Sequence, residues 1–235
     1  MLFLCAVALL LHIESAVSGA SISFSENENI LHFSETVEQR ETAAWLQVAI
    51  REAAATLRIS LKDLAAVCVS AGPGSYTGLR VGMASAKGLC YALKKPLITL
   101  PTLQVLSAAA LAAGALPGAA TLLCPMIDAR RMEVFTATYD QNLAEISSAH
   151  SLVLDEHSYQ SELAAGPVLF FGNGSGKWKE LTGHPHAFFT HADASARYMA
   201  ALGATAFHNG AFADLAYCEP LYAKEFYTPV LPKNV

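Results

Sequence analysis

Charge is scarce in this chain: Asp, Glu, Lys and Arg make up 15% of its 235 residues, and 15 basic against 20 acidic side chains leave a formal net charge of −5. That balance lacks the electrostatic footprint of a nucleic-acid binder, so RNA or DNA is expected to be met only through another protein. Cysteine is sparse and badly spaced for metal chemistry. Cys5, Cys68, Cys90, Cys124 and Cys218 form no CxxC pair and no Cys/His cluster at zinc-ligand spacing, and they read as reduced core residues of a cytoplasmic protein. The eight histidines are dispersed, and His184 and His186, which flank a proline, make no ligand set. No Ser/His/Asp set, Cys/His pair or HxxxH spacing appears, so no catalytic centre, metal or cofactor is expected. Long apolar runs are missing too. Met1–Leu11 is too short to span a bilayer and no Lys or Arg precedes it, leaving a buried first strand with extra residues ahead of it, or a targeting segment.

What is plentiful is apolar side chain, 53% of the chain, enough for a substantial core and for an apolar surface that favours a partner. The chain is organised around Cys68–Gly82, where an apolar run ends in Gly72-Pro73-Gly74-Ser75 and a helical pattern begins. It reads as strand, tight loop and helix, with Ser75 or Thr77 as the helix cap. Such a loop aims backbone N–H groups at one point, as anion sites do. Two known versions do not fit: Gly78 is followed by Leu79-Arg80 rather than by Lys and Ser or Thr, and Gly78 stands four residues after Gly74 rather than three. A structural turn, a phosphate contact and a partner contact all remain open.

Around this loop the patterns give strands at Leu9–Glu14, Ala20–Ser25 and Ile30–Ser34, then a helix over Val37–Leu57 that is apolar on two sides. Its second side is either covered by a neighbouring helix or a dimer face. Ser60–Asp63 reads as a capping box, Ala65–Ser70 as a strand, Leu79–Leu93 as a helix rich in small residues, and Leu97–Leu100 as a strand. A Leu- and Ala-rich helix follows Pro101. The same order then returns: strands Thr121–Asp128, Glu133–Tyr139 and Ala144–Leu154, a helix near His157–Leu163, strand Val168–Phe171, a helix, strand Ala187–Thr190 and helix Ala194–Asn209. This duplicated mixed unit is the pattern of the actin-like superfamily, in which nucleotide sits between the halves. Domains are expected at 1–101 and 102–235. Asp128–Glu133 reads as a hairpin held by ion pairs.

Ser70–Gly88, Met126–Phe135, Phe170–Gly174 and Glu219–Phe226 together resemble the bacterial TsaB family, also called YeaZ. The resemblance implies an α/β fold of two actin-like (RNase H-like) domains with mixed sheets flanked by helices. It further implies a non-catalytic paralogue of TsaD that supports threonylcarbamoylation of the adenosine beside the anticodon in ANN-decoding tRNAs, with a TsaD-like paralogue and a TsaE-like ATPase as partners. A homodimer is expected when the chain is alone, tRNA contact only indirectly, and no membrane. The two long helices would carry the partner interface, at Trp45, Val48, Arg80, Gly82, Met83, Ala86 and Lys87. Glu14, Ser15, Gly74, Ser75, Asp128, Gly172 and Gly174 would mark a vestigial nucleotide site, because Glu14–Ser18 lacks the Asp-x-Gly-Thr of actin-like ATPases. TsaD's paired-histidine metal motif has no counterpart in Val37–Leu57. The alternative is a nucleotide-dependent phosphotransferase or hydrolase of the same superfamily.

Overall fold

The computed structural model describes residues 7–38, 42–114, 116–119 and 121–223. The expected extra residues at the start, Cys5 and the last part of the Glu219–Phe226 motif fall largely outside them. The first half runs β1 (Leu9–Glu14), β2 (Ala20–Glu26), β3 (Asn29–Thr36), α1 (Thr42–Leu57), β4 (Ala66–Ser70), α2 (Tyr76–Leu93), β5 (Leu97–Leu100) and α3 (Thr102–Ala112). The second repeats it: β6 (Leu122–Asp128), β7 (Glu133–Tyr139), β8 (Glu145–Val153), α4 (Gln160–Ala165), β9 (Val168–Phe171), α5 (Ser175–Leu181), β10 (Ala187–Phe189) and α6 (Ala200–His208). Each half forms a five-stranded sheet, in the orders β3-β2-β1-β4-β5 and β8-β7-β6-β9-β10, with the first three strands antiparallel and the rest parallel. The repeated order read from the sequence is therefore a repeated topology.

Three expectations change. The first helix starts at Thr42 rather than Val37, since β3 continues to Thr36 and Val37 is exposed; residues 39–41 lie outside the described ones. The second helix starts earlier, at Tyr76, because Ser75 caps it by accepting the Gly78 N–H. The helix expected over Ala194–Asn209 is a 3-10 turn, Ala196–Tyr198, followed by α6. That turn is held apart by β2: Ser21 Oγ accepts the Ala196 N–H at 2.9 Å and the Ser23 hydroxyl donates to the Ala196 carbonyl at 2.8 Å. The capping box at Ser60 is present on a 3-10 turn, Leu61–Asp63.

Alternation along β1 and β2 decides what each face of the first sheet meets. Leu11, Ile13, Ile22 and Phe24 pack under α1 and α2 with Leu46, Ile50, Ala53, Met83 and Ala86. The opposite face carries His12, Glu14, Ser21, Ser23 and Ser25, and it too is buried. The central core lies there, between the sheets. The helices are exchanged across it: α3, which follows the first sheet, packs on β6 and β7, while α6, which ends the second half, packs on β1 and β5. The second sheet's far face holds Cys124, Met126 and Phe170 under α4 and α5, which pack Leu163 and Trp178 against it.

His12 and Glu14 are the groups of that buried face that titrate in the acid-to-neutral range. The Ser25 hydroxyl donates to the Asn27 carbonyl, so its oxygen accepts His12 Nε2–H at 2.8 Å, and His12 Nδ1 has no partner among the described residues. Burial pushes His12 down from 6.5 to about 3. For Glu14, burial outweighs the hydrogen bonds from Ala16 and Ser70 and lifts it from 4.5 to about 7, with Asp193 adding to the rise. The signs oppose. The unfolded chain takes up a proton at His12 between pH 6.5 and 3 that the fold refuses, so this term loses stability as pH falls. Glu14 holds a proton in the fold between pH 4.5 and 7 that the unfolded chain has released, so its term loses stability as pH rises. Urea midpoints should therefore be nearly flat between about pH 4.5 and 6.5. Glu14→Gln should expose a rise in stability with pH worth about 5 kcal/mol in all, and His12→Gln a fall of about 3 kcal/mol. Unchanged pH profiles in both variants would exclude this pairing.

Candidate functional site

A cleft of about 1180 Å³ runs between the halves. One wall is the turn after β1, at Ala16 and Val17, with the loop Pro73–Thr77 that enters α2; the other is the tip between β6 and β7, Asp128–Glu133. Asn173 and Leu221–Ala223 complete the rim. Of the two acidic residues expected at a nucleotide site, Glu14 and Asp128, only Asp128 opens on this space. Glu14 is turned inward, and its Oε1 accepts from the Ala16 N–H at 2.7 Å and the Ser70 hydroxyl at 3.3 Å. Asp128 pairs with Lys177 Nζ at 2.8 Å and accepts the Arg130 N–H at 2.6 Å. Partial burial would raise the Asp128 carboxyl, but the Lys177 hydrogen bond and charge and the Arg130 N–H outweigh it and hold it below its ordinary value. The ion pair expected inside the Asp128–Glu133 hairpin thus reaches out to α5 instead, because Lys177 also donates to the Glu133 carbonyl at 3.1 Å.

The glycines of the central loop serve close backbone packing. A Cβ at Gly74 would overlap the Ala16 carbonyl oxygen, one at Gly78 the Ser15 carbonyl oxygen, and one at Gly82 the Ser15 hydroxyl. The Ser75 N–H donates to the Ala16 carbonyl at 2.6 Å, the Ser15 hydroxyl to the Gly78 carbonyl at 2.9 Å, and the Gly72 N–H to Thr102 Oγ1 at 3.0 Å. The Gly72, Ser75 and Gly78 N–H groups of the loop are thus spent on protein. In the second loop a Cβ at Gly172 would overlap the Met126 carbonyl, and one at Gly174 would lie 3.1 Å from the Asp128 nitrogen; Asn173 Oδ1 accepts the Asp128 N–H at 2.8 Å. Among the described residues no group of three or more His, Cys, Asp or Glu is placed to hold a metal ion, and no helix is long and apolar enough to cross a membrane.

The residues expected at a partner interface divide by depth. Gly82, Met83 and Ala86 are buried beneath α2, against the chain's own first sheet. Trp45 is half-buried and Val48 exposed on α1. Arg80 and Lys87 engage the segment that follows α6: Lys87 Nζ donates to the carbonyls of Ala216 (3.4 Å) and Cys218 (3.0 Å), and Arg80 Nε donates to Tyr222 Oη at 3.2 Å. The Arg80 guanidinium also lies 4.2 Å from the Tyr76 ring centroid, and the Tyr76 and Tyr222 rings are 5.4 Å apart. Ala84, Gly88 and Tyr91 are exposed along α2, and Ala44 and Val48 are exposed on α1. Sequence reasoning missed this C-terminal strap because nothing local in Ala213–Tyr222 marks where it will lie. Cys68, Cys90 and Cys124 are buried free thiols and Cys218 is half-buried on the strap.

Two of the three α2 glycines give a direct check. Gly78→Ala should lower stability by more than about 2 kcal/mol, since a backbone oxygen cannot yield, whereas Gly88→Ala, with open space around it, should raise it by about 0.5–1 kcal/mol. Equal effects in denaturant unfolding would contradict the packing described.

The family model described as TsaD: tRNA N6-adenosine threonylcarbamoyltransferase matches residues 35–217. The chain is 30% identical over 122 residues to the tRNA threonylcarbamoyladenosine biosynthesis protein TsaB of Bacillus subtilis (strain 168), a match covering 51% of this chain and 51% of that protein. It is 27% identical over 170 residues to the protein of the same name from Escherichia coli (strain K12), covering 69% and 71% respectively. The chain thus spans about half the length of the Bacillus relative it matches. The solved structure of YeaZ from Pseudomonas aeruginosa superposes with a TM-score of 0.77 at 22% identity, over 92% of this chain and 99% of that one, a likeness of fold. With a two-domain actin-like α/β fold and a family model covering most of its length, the chain belongs to the TsaD family so described, among its TsaB (YeaZ) members.

Proposed function

We propose that this chain is a non-catalytic scaffold subunit for threonylcarbamoyladenosine formation on tRNA, binding a TsaD-like paralogue that performs the transfer. A TsaE-like ATPase is a further partner, tRNA is met indirectly, and the isolated chain pairs with itself. The observation that carries the non-catalytic part is the closure of the first turn: the Glu14 carboxyl faces the core, and Gly74 and Gly78 bring α2 and its loop onto the Ser15–Ala16 backbone. With its carboxylate turned inward and its glycines packed on backbone, this turn does not offer the acidic group and open glycine that the phosphotransferase reading requires. In this reading residues 1–101 form the domain that carries the interface and 102–235 the second domain. Partner contact falls to the exposed stripe of Ala84, Gly88 and Tyr91 with Ala44 and Val48, supported from beneath by Gly82, Met83 and Ala86.

The reading is tested by reconstitution with the cognate TsaD-like protein, threonylcarbamoyl-AMP and substrate tRNA. Modification should require both proteins, and neither half of the pair alone should sustain it. Gly88→Arg, which puts a helix former at an open position, should leave the chain folded yet weaken assembly at least about tenfold by putting an unpaired charge into an apolar contact. Modification by this chain alone, or unchanged assembly of the folded variant, would refute the scaffold reading.

A further inference from the structure

The cleft's second wall ends in an unusual turn. Arg130 and Arg131 have φ of 71° and 48°, the only two consecutive non-glycine residues with positive φ among those described. L side chains crowd the backbone there, and Asn and Gly adopt that region at least cost. The turn is closed by the Glu133 N–H donating to the Arg130 carbonyl at 3.0 Å, and by the Arg130 N–H on Asp128. Both arginines are exposed, and among the described residues neither pairs with an acidic side chain, Asp128 being paired with Lys177. Among the described residues, a chain of net charge −5 therefore holds at a cleft mouth two guanidinium groups without an acidic partner, on a backbone that suits other residues.

Their surroundings say what kind of ligand fits. Met132 and Val153 line the same cleft and are 40% and 66% exposed, Phe135 lies deeper, and Tyr76 and Tyr222 stand on the facing side. Arginine, methionine and aromatic side chains are the ones enriched where proteins meet. A ribose-phosphate chain would satisfy the arginines but would cover the apolar wall with polar groups that find no partners there. A carboxylate accepts the guanidinium fork in two parallel hydrogen bonds, and apolar neighbours of that carboxylate would fill the space beside Val153 and Met132.

We propose that the cleft is a docking site for an extended, acidic and apolar peptide segment of a partner protein, its carboxylates held by Arg130 and Arg131. This site uses other residues than the α1–α2 face and does not depend on that reading. The test uses the full chain and fluorescence anisotropy of a labelled peptide alternating glutamate with leucine, with a glutamine–leucine peptide and a single-stranded oligouridylate as comparison probes. The glutamate peptide should bind, the glutamine peptide at least about tenfold more weakly. The double variant Arg130→Asn/Arg131→Gly should lose at least about tenfold in binding while its Tm rises by about 2–4 °C, because the turn now has residues suited to it. Val153→Glu, at an exposed position, should lose binding with the fold intact. Absent or charge-independent peptide binding, retention of binding in the double variant, a fall in its Tm, or preferential capture of the oligouridylate through the same arginines would each overturn the proposal.

Discussion

The contact on which the molecule depends is made between backbones: the turn that ends β1 lies directly on the loop and first turn of α2. Side chains of any size at 74 or 78 would part them. With the contact made, the Ser75 N–H reaches the Ala16 carbonyl, α2 is seated over Ile13 and Val69, and the Pro73–Thr77 loop becomes one wall of the cleft. The same closeness turns the Glu14 carboxyl inward. A glycine loop of this kind is usually read as making room for a ligand; here the room is taken by the chain itself. Fold and site are thus consequences of one packing event, and the cleft that remains is shifted outward, toward the β6–β7 tip and the C-terminal strap.

Much of the architecture was legible because it is written locally. Leu9–Glu14, Glu133–Tyr139 and Val168–Phe171 are strands at the bounds their patterns imply, and the two runs of three strands, helix, strand, helix, strand announce a duplicated topology. Ser75 as a cap and Ser60 with Asp63 as a capping box are likewise short-range statements. What escaped is long-range. Ser21, Ser23 and Ser25 alternate with Ile22 and Phe24, and nothing within β2 tells a solvated face from one covered by residues 173–175 positions later in the chain. The break between Ala196–Tyr198 and α6 has the same origin. Arg80 and Lys87 carry charge where a partner is expected, but whether they face outward is decided by a strap more than a hundred residues away in sequence.

The site was legible in part for the same reason. Its glycines and Asp128 could be named from motifs, whereas the roles of Gly74 and Gly78 could not, since a phosphate and a carbonyl oxygen ask the same absence of side chain. Arg130 and Arg131 looked like hairpin charges; only their dihedral angles and the capture of Asp128 by Lys177 set them apart.

The polar inner face of the first sheet has a meaning in the order of synthesis. His12, Ser21 and Ser23 wait for residues 196–208, which are made long after them. Until then that sheet stands with one face bare. That face also carries Leu10, Cys68, Ile98 and Leu100; the serines and the histidine interrupt this apolar surface and can stay hydrated until Ala196 and α6 arrive. Those hydroxyls thus protect an unfinished protein as well as bracing a finished one.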